Sequence, residues 1–446
     1  MGVSLTRTAG TPTSKKKFTF SVWYKKTTIR DYGASTSDGF FFNSASGNDN
    51  RLGLYINQEN SPYDQVRLVG RNSGSQILDL RTNAILRDPS AWYHIVAKVD
   101  TTQSTNTDRA KLYINGSEQT LDTSSYPNQD VELEIHHTPY VLSYGGSSNY
   151  LEGYVTHFHY TDGYAYDAST FGETDSTSGI WKPKTAPSVT YGTNGFFLKF
   201  ENSAAMGTDS SGQSNNLTVS GTFNQYTDSP TNNFATLNPL STHGNNTLTA
   251  GNNKIAFAAN TSYTNSIGNI GVSSGRWYAE CKLAGVTTYY PALGFASMGN
   301  ATYRYTDPLY TGAHLGADEG SAYFKHGNIQ AAGSTVGNYA SFTTGDIIGM
   351  YLDLESGTKT LKYYKNDSLI LSINITPVDG QFYTFGATGT SSSDIADFNF
   401  GGGYFGTTAV ASANADANGF GAFEYSPTLS GVNYYTLCTK NIKEFG

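Results

Sequence analysis

Charge is scarce in this chain. Of its 446 residues, only 14% are Asp, Glu, Lys or Arg, against roughly 25% in ordinary soluble domains. The net charge is -8, and the basic run is Lys15-Lys16-Lys17, which reads as a solvated strand entry. A nucleic-acid surface needs a basic stripe to neutralise phosphates, so that class of partner is not expected. Cysteine is nearly absent. Cys281 and Cys438 have no CxxC-type spacing, so a cysteine metal knuckle is excluded; two buried thiols in a reducing cytosol are expected, although pairing stays open. No apolar run is long enough for a membrane helix. The opening "MGVSLTRTAGTPTSKKKFTF" lacks the apolar stretch of a secretory leader, so no membrane insertion is expected. Helical periodicity is almost missing as well.

What the chain has instead is aromatics, glycine and turn formers. There are 33 Tyr, 24 Phe and 48 Gly. Tyr, Phe and Thr suit pleated surfaces, whereas Gly, Asn, Asp and Ser make turns. Short alternating segments recur between turn residues, the spacing of β-sandwiches or barrels. In "AWYHIVAKVD", Tyr93, Ile95, Ala97 and Val99 fall on one face, and Trp92, His94, Val96 and Lys98 on the other. After a polar loop, "KLYING" adds a second strand closed by Asn115-Gly116, a tight-turn signal.

The expected fold is all-β: two antiparallel jelly-roll-like β-sandwiches joined by a turn-rich connector. The boundaries read as 1–171 for the first sandwich, 172–246 for the connector, 247–400 for the second sandwich and 401–446 for a tail packing on it.

The first unit resembles the laminin-G-like, concanavalin A-like lectin domain. The likeness rests on four segments in order: a Trp-containing strand at Trp23, "WYHIVA" from Trp92 to Ala97, "LYING" from Leu112 to Gly116, and "LEGYV" from Leu151 to Val155. Trp23 and Trp92 are expected to fill the space between two sheets. The second unit resembles a SPRY domain, through "SSGRWYAECKL", "PALGFAS", "GDIIGMYLDLESGTKTLKYYKNDSLI" and "DFNFGG". That family implies a two-sheet sandwich binding protein partners through loops. The pairing of the two modules, with "GFFLKFENSAAMGTDSSGQSNNLTVSG" and "NYYTLCTKN", is similar to large virion proteins of tailed phages.

The concanavalin A-like fold also hosts glucanases, whose two carboxylates sit on one strand about 5 to 5.5 Å apart. The candidate here is "VELEIHH", where Glu132, Glu134 and His136 would share a strand face. His137 stands where the last carboxylate should be, so catalysis is not expected. No G-x-S-x-G nucleophile elbow is present. His136, His137, His157 and His159 would bind zinc or a related metal if their strands were neighbours. Calcium is the more plausible cation, with Asp209, Ser211, Gln213 and Asn215 offering oxygens around Gly212. Glycan binding needs exposed aromatic faces beside polar groups. Tyr164, Tyr166, Tyr303, Tyr305 and Tyr310 have that setting in turn-rich segments; the alternatives are that these rings make a subunit interface or pack the loops down.

These readings converge on a non-enzymatic protein of the exterior surface of a phage virion, made in the host cytoplasm. It would be a capsid decoration or a tail or fibre appendage. Its partners would be other virion proteins, further copies of itself and host surface glycans. The alternatives are a secreted or surface bacterial lectin or adhesin, disfavoured by the missing leader, and a glycoside hydrolase, disfavoured by the broken carboxylate motif.

Overall fold

The computed structural model describes residues 2–28, 38–58, 61–259, 263–286, 291–299, 314–316, 320–427 and 433–445. The chain divides into two compact units, Met1–Gln225 and Tyr226–Gly446. Both are built from antiparallel sheets, as the alternating segments predict. The stretch 172–246, read as a connector, contributes strands to each: Phe196–Leu198 and Thr218–Ser220 to the first unit, Leu237–Thr242 to the second.

In the first unit, a six-stranded sheet runs Phe196–Leu198, Gly153–Asp162, Lys17–Lys26, Trp92–Asp100, Ala110–Ile114, Ser117–Glu118. An eight-stranded sheet faces it, with Gly39–Ala45, Arg51–Asn57 and Gln65–Asn72 at its centre. Side chains alternate along a strand. Phe18, Phe20, Val22 and Tyr24 therefore enter the core together with Ile95, Ala97, Val99 and Leu112. The same alternation turns Trp23 the other way, so the expectation that Trp23 fills the space between the sheets is corrected. Its indole lies on the outer face of the six-stranded sheet, stacked on His94 with centroids 4.8 Å apart; Trp92, on that outer face by the same alternation, lies near Tyr154.

Segment 165–183 covers this outer face, through Ala168 and Trp181, which pack with Val96 and Tyr113. The Trp181 ring is seated against two glycines. A Cβ at Gly116 would come within 2.8 Å of it, and one at Gly172 within 2.5 Å. The Asn115-Gly116 turn, with φ of 49° and 83°, thus serves both the hairpin reversal and the close approach of the indole. Each lysine of the opening basic run meets a carboxylate: Lys15 with Glu132, Lys16 with Asp130 and Lys17 with Asp100.

The second unit repeats the architecture. A seven-stranded sheet contains Ala292–Ser297, Tyr383–Gly389 and Thr264–Gly268. The opposing sheet is centred on Arg276–Gly285, Ile347–Asp353 and Thr360–Lys365, the last two drawn from the SPRY-like run. Asn366 and Asp367 reverse that run with φ of 48° and 69°. Trp277, Ile348, Met350 and Leu361 fill the core, while Tyr278, Tyr351 and Tyr364 point outward and are covered by Phe423 and Tyr434. Tyr435–Thr436 pairs in parallel with Trp277–Tyr278. Cys281 and Cys438 are both buried free thiols.

Glu280 fixes the C-terminal segment to this sheet. Its carboxylate accepts the backbone N–H groups of Glu424 and Tyr425, each at 2.8 Å, and is approached by the Asn399 amide and the Tyr278 hydroxyl, each at 3.2 Å. Burial nevertheless dominates and pushes the carboxyl up to about 7 from its ordinary 4.5. Between these values the folded chain holds a proton that the unfolded chain has released. The stability so contributed is complete below pH 4.5 and lost as the pH rises through 7. Hydrogen exchange of Arg276–Gly285 should therefore show opening becoming easier from pH 4.5 to 7 after correction for intrinsic rates. Glu280→Gln should abolish that slope. It should also cost about 1–3 kcal/mol in denaturant unfolding, because the amide turns a donor toward one of the two backbone N–H groups.

Candidate functional site

Among the described residues, His94 and Ser21 form the arrangement closest to an activated nucleophile, with Nε2 and Oγ 2.8 Å apart. The other ring nitrogen decides their roles. The Trp181 indole approaches Nδ1 at 3.0 Å, and an indole N–H only donates. Nδ1 is therefore the acceptor, Nε2 carries the proton, and Ser21 Oγ accepts it. General-base activation needs the reverse polarity. Both side chains are fully buried. Burial, with a smaller contribution from His157, pushes the imidazole down to about 3. The pair is a locked structural element of the outer face.

The "VELEIHH" segment is not a strand. Residues 131–138 run as irregular backbone, with the Ile135 N–H bonded to the Leu133 carbonyl at 2.8 Å. Glu132, Glu134 and His136 therefore do not form the shared strand face expected of them. Leu133 and Ile135 are buried and pin the segment to the core. Glu134 is left between two imidazoles: its Oε2 is 2.7 Å from His137 Nε2 and 3.6 Å from His136 Nδ1. His157 and His159 do not join them. Both lie in Gly153–Asp162, where a bulge with φ of 48° at His157 shifts the register against Lys17–Lys26. His159 is buried, stacks on Phe197 at 3.8 Å and shares a hydrogen bond with the Tyr191 hydroxyl at 2.9 Å.

Tyr164 and Tyr166 follow the end of Gly153–Asp162. Their rings are near parallel, 15° apart in plane with centroids 6.3 Å apart. Tyr164 is 37% exposed. The loop carrying them is held from below: Thr19 and Thr161 hydroxyls donate to the Tyr164 carbonyl, and the Tyr166 N–H donates to Thr19 Oγ1. Asp167, next in the chain, accepts from Lys98 and from the Tyr113 hydroxyl, both at 2.8 Å. An exposed aromatic face on a fixed loop that also carries a carboxylate offers groups of the kind that stack on and hydrogen-bond a ligand. Tyr303, Tyr305 and Tyr310 lie outside the described residues.

Asp209 closes its own loop. Oδ1 accepts the N–H groups of Phe197 and Ser211, and Oδ2 accepts the Ser211 hydroxyl and the Asn215 N–H, all within 2.9 Å. Four donors occupy the lone-pair directions that a cation would need. The Asn215 amide donates to the Thr193 and Gly195 carbonyls, and Gln213 meets Ser211 Oγ through its backbone N–H. Beside this loop is a cleft of about 470 Å³, lined by residues including Met206, Leu217, Val219 and Phe223. Sequence reading missed it, because its walls come from turn-rich segments with no periodic signal.

Residues 2–162 match the concanavalin A-like lectin/glucanases superfamily. Comparison with curated proteins gives no match. Among solved structures, the chain is similar to the SPRY domain of human HERC1, at 17% identity and a TM-score of 0.30, covering 36% of this chain and 96% of that one. It is similar to a human SPRY domain at 14% identity and a TM-score of 0.28, covering 34% and 94%. The TRIM65 PSpry domain follows at 13% identity and a TM-score of 0.30, covering 37% and 88%.

The polarity of the Ser21–His94 pair has a direct spectroscopic consequence. Imidazole nitrogen shifts of His94 should report a neutral Nε2–H ring down to about pH 4. Between 6.5 and about 3 only the unfolded chain takes up that proton, so the first unit should lose stability on acidification. Hydrogen exchange of Trp92–Asp100 should accordingly show easier opening at pH 4 than at pH 7. Trp181→Phe should cost about 1–3 kcal/mol, by leaving buried Nδ1 without its donor.

Proposed function

We propose that this chain is a non-enzymatic binding protein on the exterior of a tailed-phage virion, as a capsid decoration or a tail or fibre appendage. In this reading it is made in the host cytoplasm and assembles with other virion proteins and further copies of itself. The Tyr164–Tyr166 loop holds host surface glycans. The observation that carries the binding role is the exposed Tyr164 ring, near-parallel to the half-buried Tyr166, on a loop anchored to the sandwich that matches the lectin-like superfamily. Two buried free thiols fit assembly in a reducing compartment. The polarity of the Ser21–His94 pair supports a role without nucleophilic catalysis.

The test joins localisation to binding. Particles from infected cells should show this chain at fixed stoichiometry on their outer surface by labelled imaging. The purified chain should retain a defined glycan on an array. Tyr164→Ala should weaken that binding roughly tenfold, the order expected for losing a stacking face, without changing the melting temperature. Absence from particles together with intact glycan binding would replace the virion reading with that of a surface lectin. Binding unaffected by the substitution would remove the tyrosine pair from the site.

A further inference from the structure

Glu134, His136 and His137 stand apart from the other titratable groups of the first unit. One oxygen of Glu134 faces ring nitrogens of both histidines, and the three ligand-capable atoms all lie within 4.8 Å of one another. The rings are tilted by 40° with centroids 4.0 Å apart, so they converge on the carboxylate rather than stack flat. His136 Nδ1 is buried yet has no hydrogen-bond partner. A buried nitrogen without a partner is costly unless something fills the place opposite it.

We propose that Glu134, His136 and His137 bind a transition-metal dication of the zinc class. Tetrahedral bonds of 2.0 to 2.1 Å put neighbouring ligand atoms about 3.3 Å apart. The separation of 3.6 Å from Glu134 to His136 is already close to that. The 2.7 Å contact of His137 with Glu134 is a hydrogen bond whose proton the ion would displace, opening the pair slightly. Two imidazoles select zinc, nickel or copper over calcium and magnesium, which prefer oxygen. The backbone beneath is fixed independently of metal. The Leu133 N–H bonds to the Lys15 carbonyl at 3.0 Å, Leu133 and Ile135 are buried, and the His137 N–H meets Ser44 Oγ at 3.2 Å. Glu132 is engaged by Lys15 and is not assigned as a ligand. The histidine and glutamate side chains keep 13% to 32% of their surface open, which leaves a coordination position for water or a ligand atom from outside.

The test uses the full chain, stripped with a chelator and dialysed. Zn²⁺ titration by calorimetry should give one saturable site per chain, and Co²⁺ should give the intense visible bands of a four-coordinate ion. Ca²⁺ in excess should neither compete nor raise the melting temperature. His136→Ala removes a nitrogen that makes no hydrogen bond, so the metal-free melting temperature should hold. Zinc affinity should fall by at least about tenfold, the loss that even outer partners of a metal cause, and the cobalt bands should vanish. Glu134→Gln should weaken binding in the same direction. No saturable binding, or binding unchanged in both variants, would overturn the site; the latter would assign the ion to other residues.

Discussion

A buried carboxylate that gathers backbone N–H groups from remote segments is the interaction on which both units depend. A chain so rich in turns exposes many loop amides that no ladder satisfies, and a buried unpaired N–H is costly. Asp162, fully buried, accepts from Thr13, Ser14 and Asn194. Asp209, half-buried, accepts from Phe197, Ser211 and Asn215 in the same way. Glu280 accepts from Glu424 and Tyr425, and Asp416 from Asn418, Phe420 and Thr436, with the Asn441 amide on its second oxygen. Each carboxylate ties segments that the strands alone would leave free. This gives the scarcity of charge a physical meaning, since several of the few acidic groups act as interior acceptors rather than as a solvated coat.

The strands were legible because alternation is a local property. The sides taken by Phe18, Phe20, Val22 and Tyr24 against Trp23, and by Ile95, Ala97 and Val99 against His94, follow from period two once the core face is known. What alternation does not reveal is that both faces of the six-stranded sheet are covered. Trp23 is large and apolar, and so reads as a core residue. Yet it stacks on His94 of the outer face, and the Trp181 cover over that histidine arrives from 87 positions further along the chain. Asp209 shows the same limit from the polar side. Its neighbours in sequence resemble a cation loop, yet one of its donors is the N–H of Phe197, in a strand the local pattern does not connect to it.

The candidate sites were legible in proportion to how local they are. Tyr164 and Tyr166 fall within one short loop, and their placement after a strand end could be read from turn residues alone. Pairing His136 and His137 with His157 and His159 required knowing which strands are neighbours, and the topology places Gly153–Asp162 in the six-stranded sheet. The irregular backbone at 131–138 was hidden because "VELEIHH" alternates as well as any strand. Its alternation reflects the burial of Leu133 and Ile135, which a bent segment achieves as readily as a straight one. The bend is what brings Glu134 and the two histidines together.

Glu134 is informative because its neighbours differ in kind from those of the carboxylates just described. Asp162, Asp209, Glu280 and Asp416 are each held by backbone N–H groups, which fix their geometry and occupy their lone pairs. The groups facing Glu134 Oε2 are two imidazoles, which exchange protons and bind metals, whereas a backbone amide does neither. His94 makes the same comparison for histidine. Its two nitrogens are committed to Trp181 and Ser21, burial keeps it neutral, and nothing remains for chemistry. His136 keeps a nitrogen without a hydrogen bond. Within one sandwich, then, the same residue types divide into those whose valences are filled by the fold and a small set whose valences are not, and it is the second set that has capacity left for a ligand.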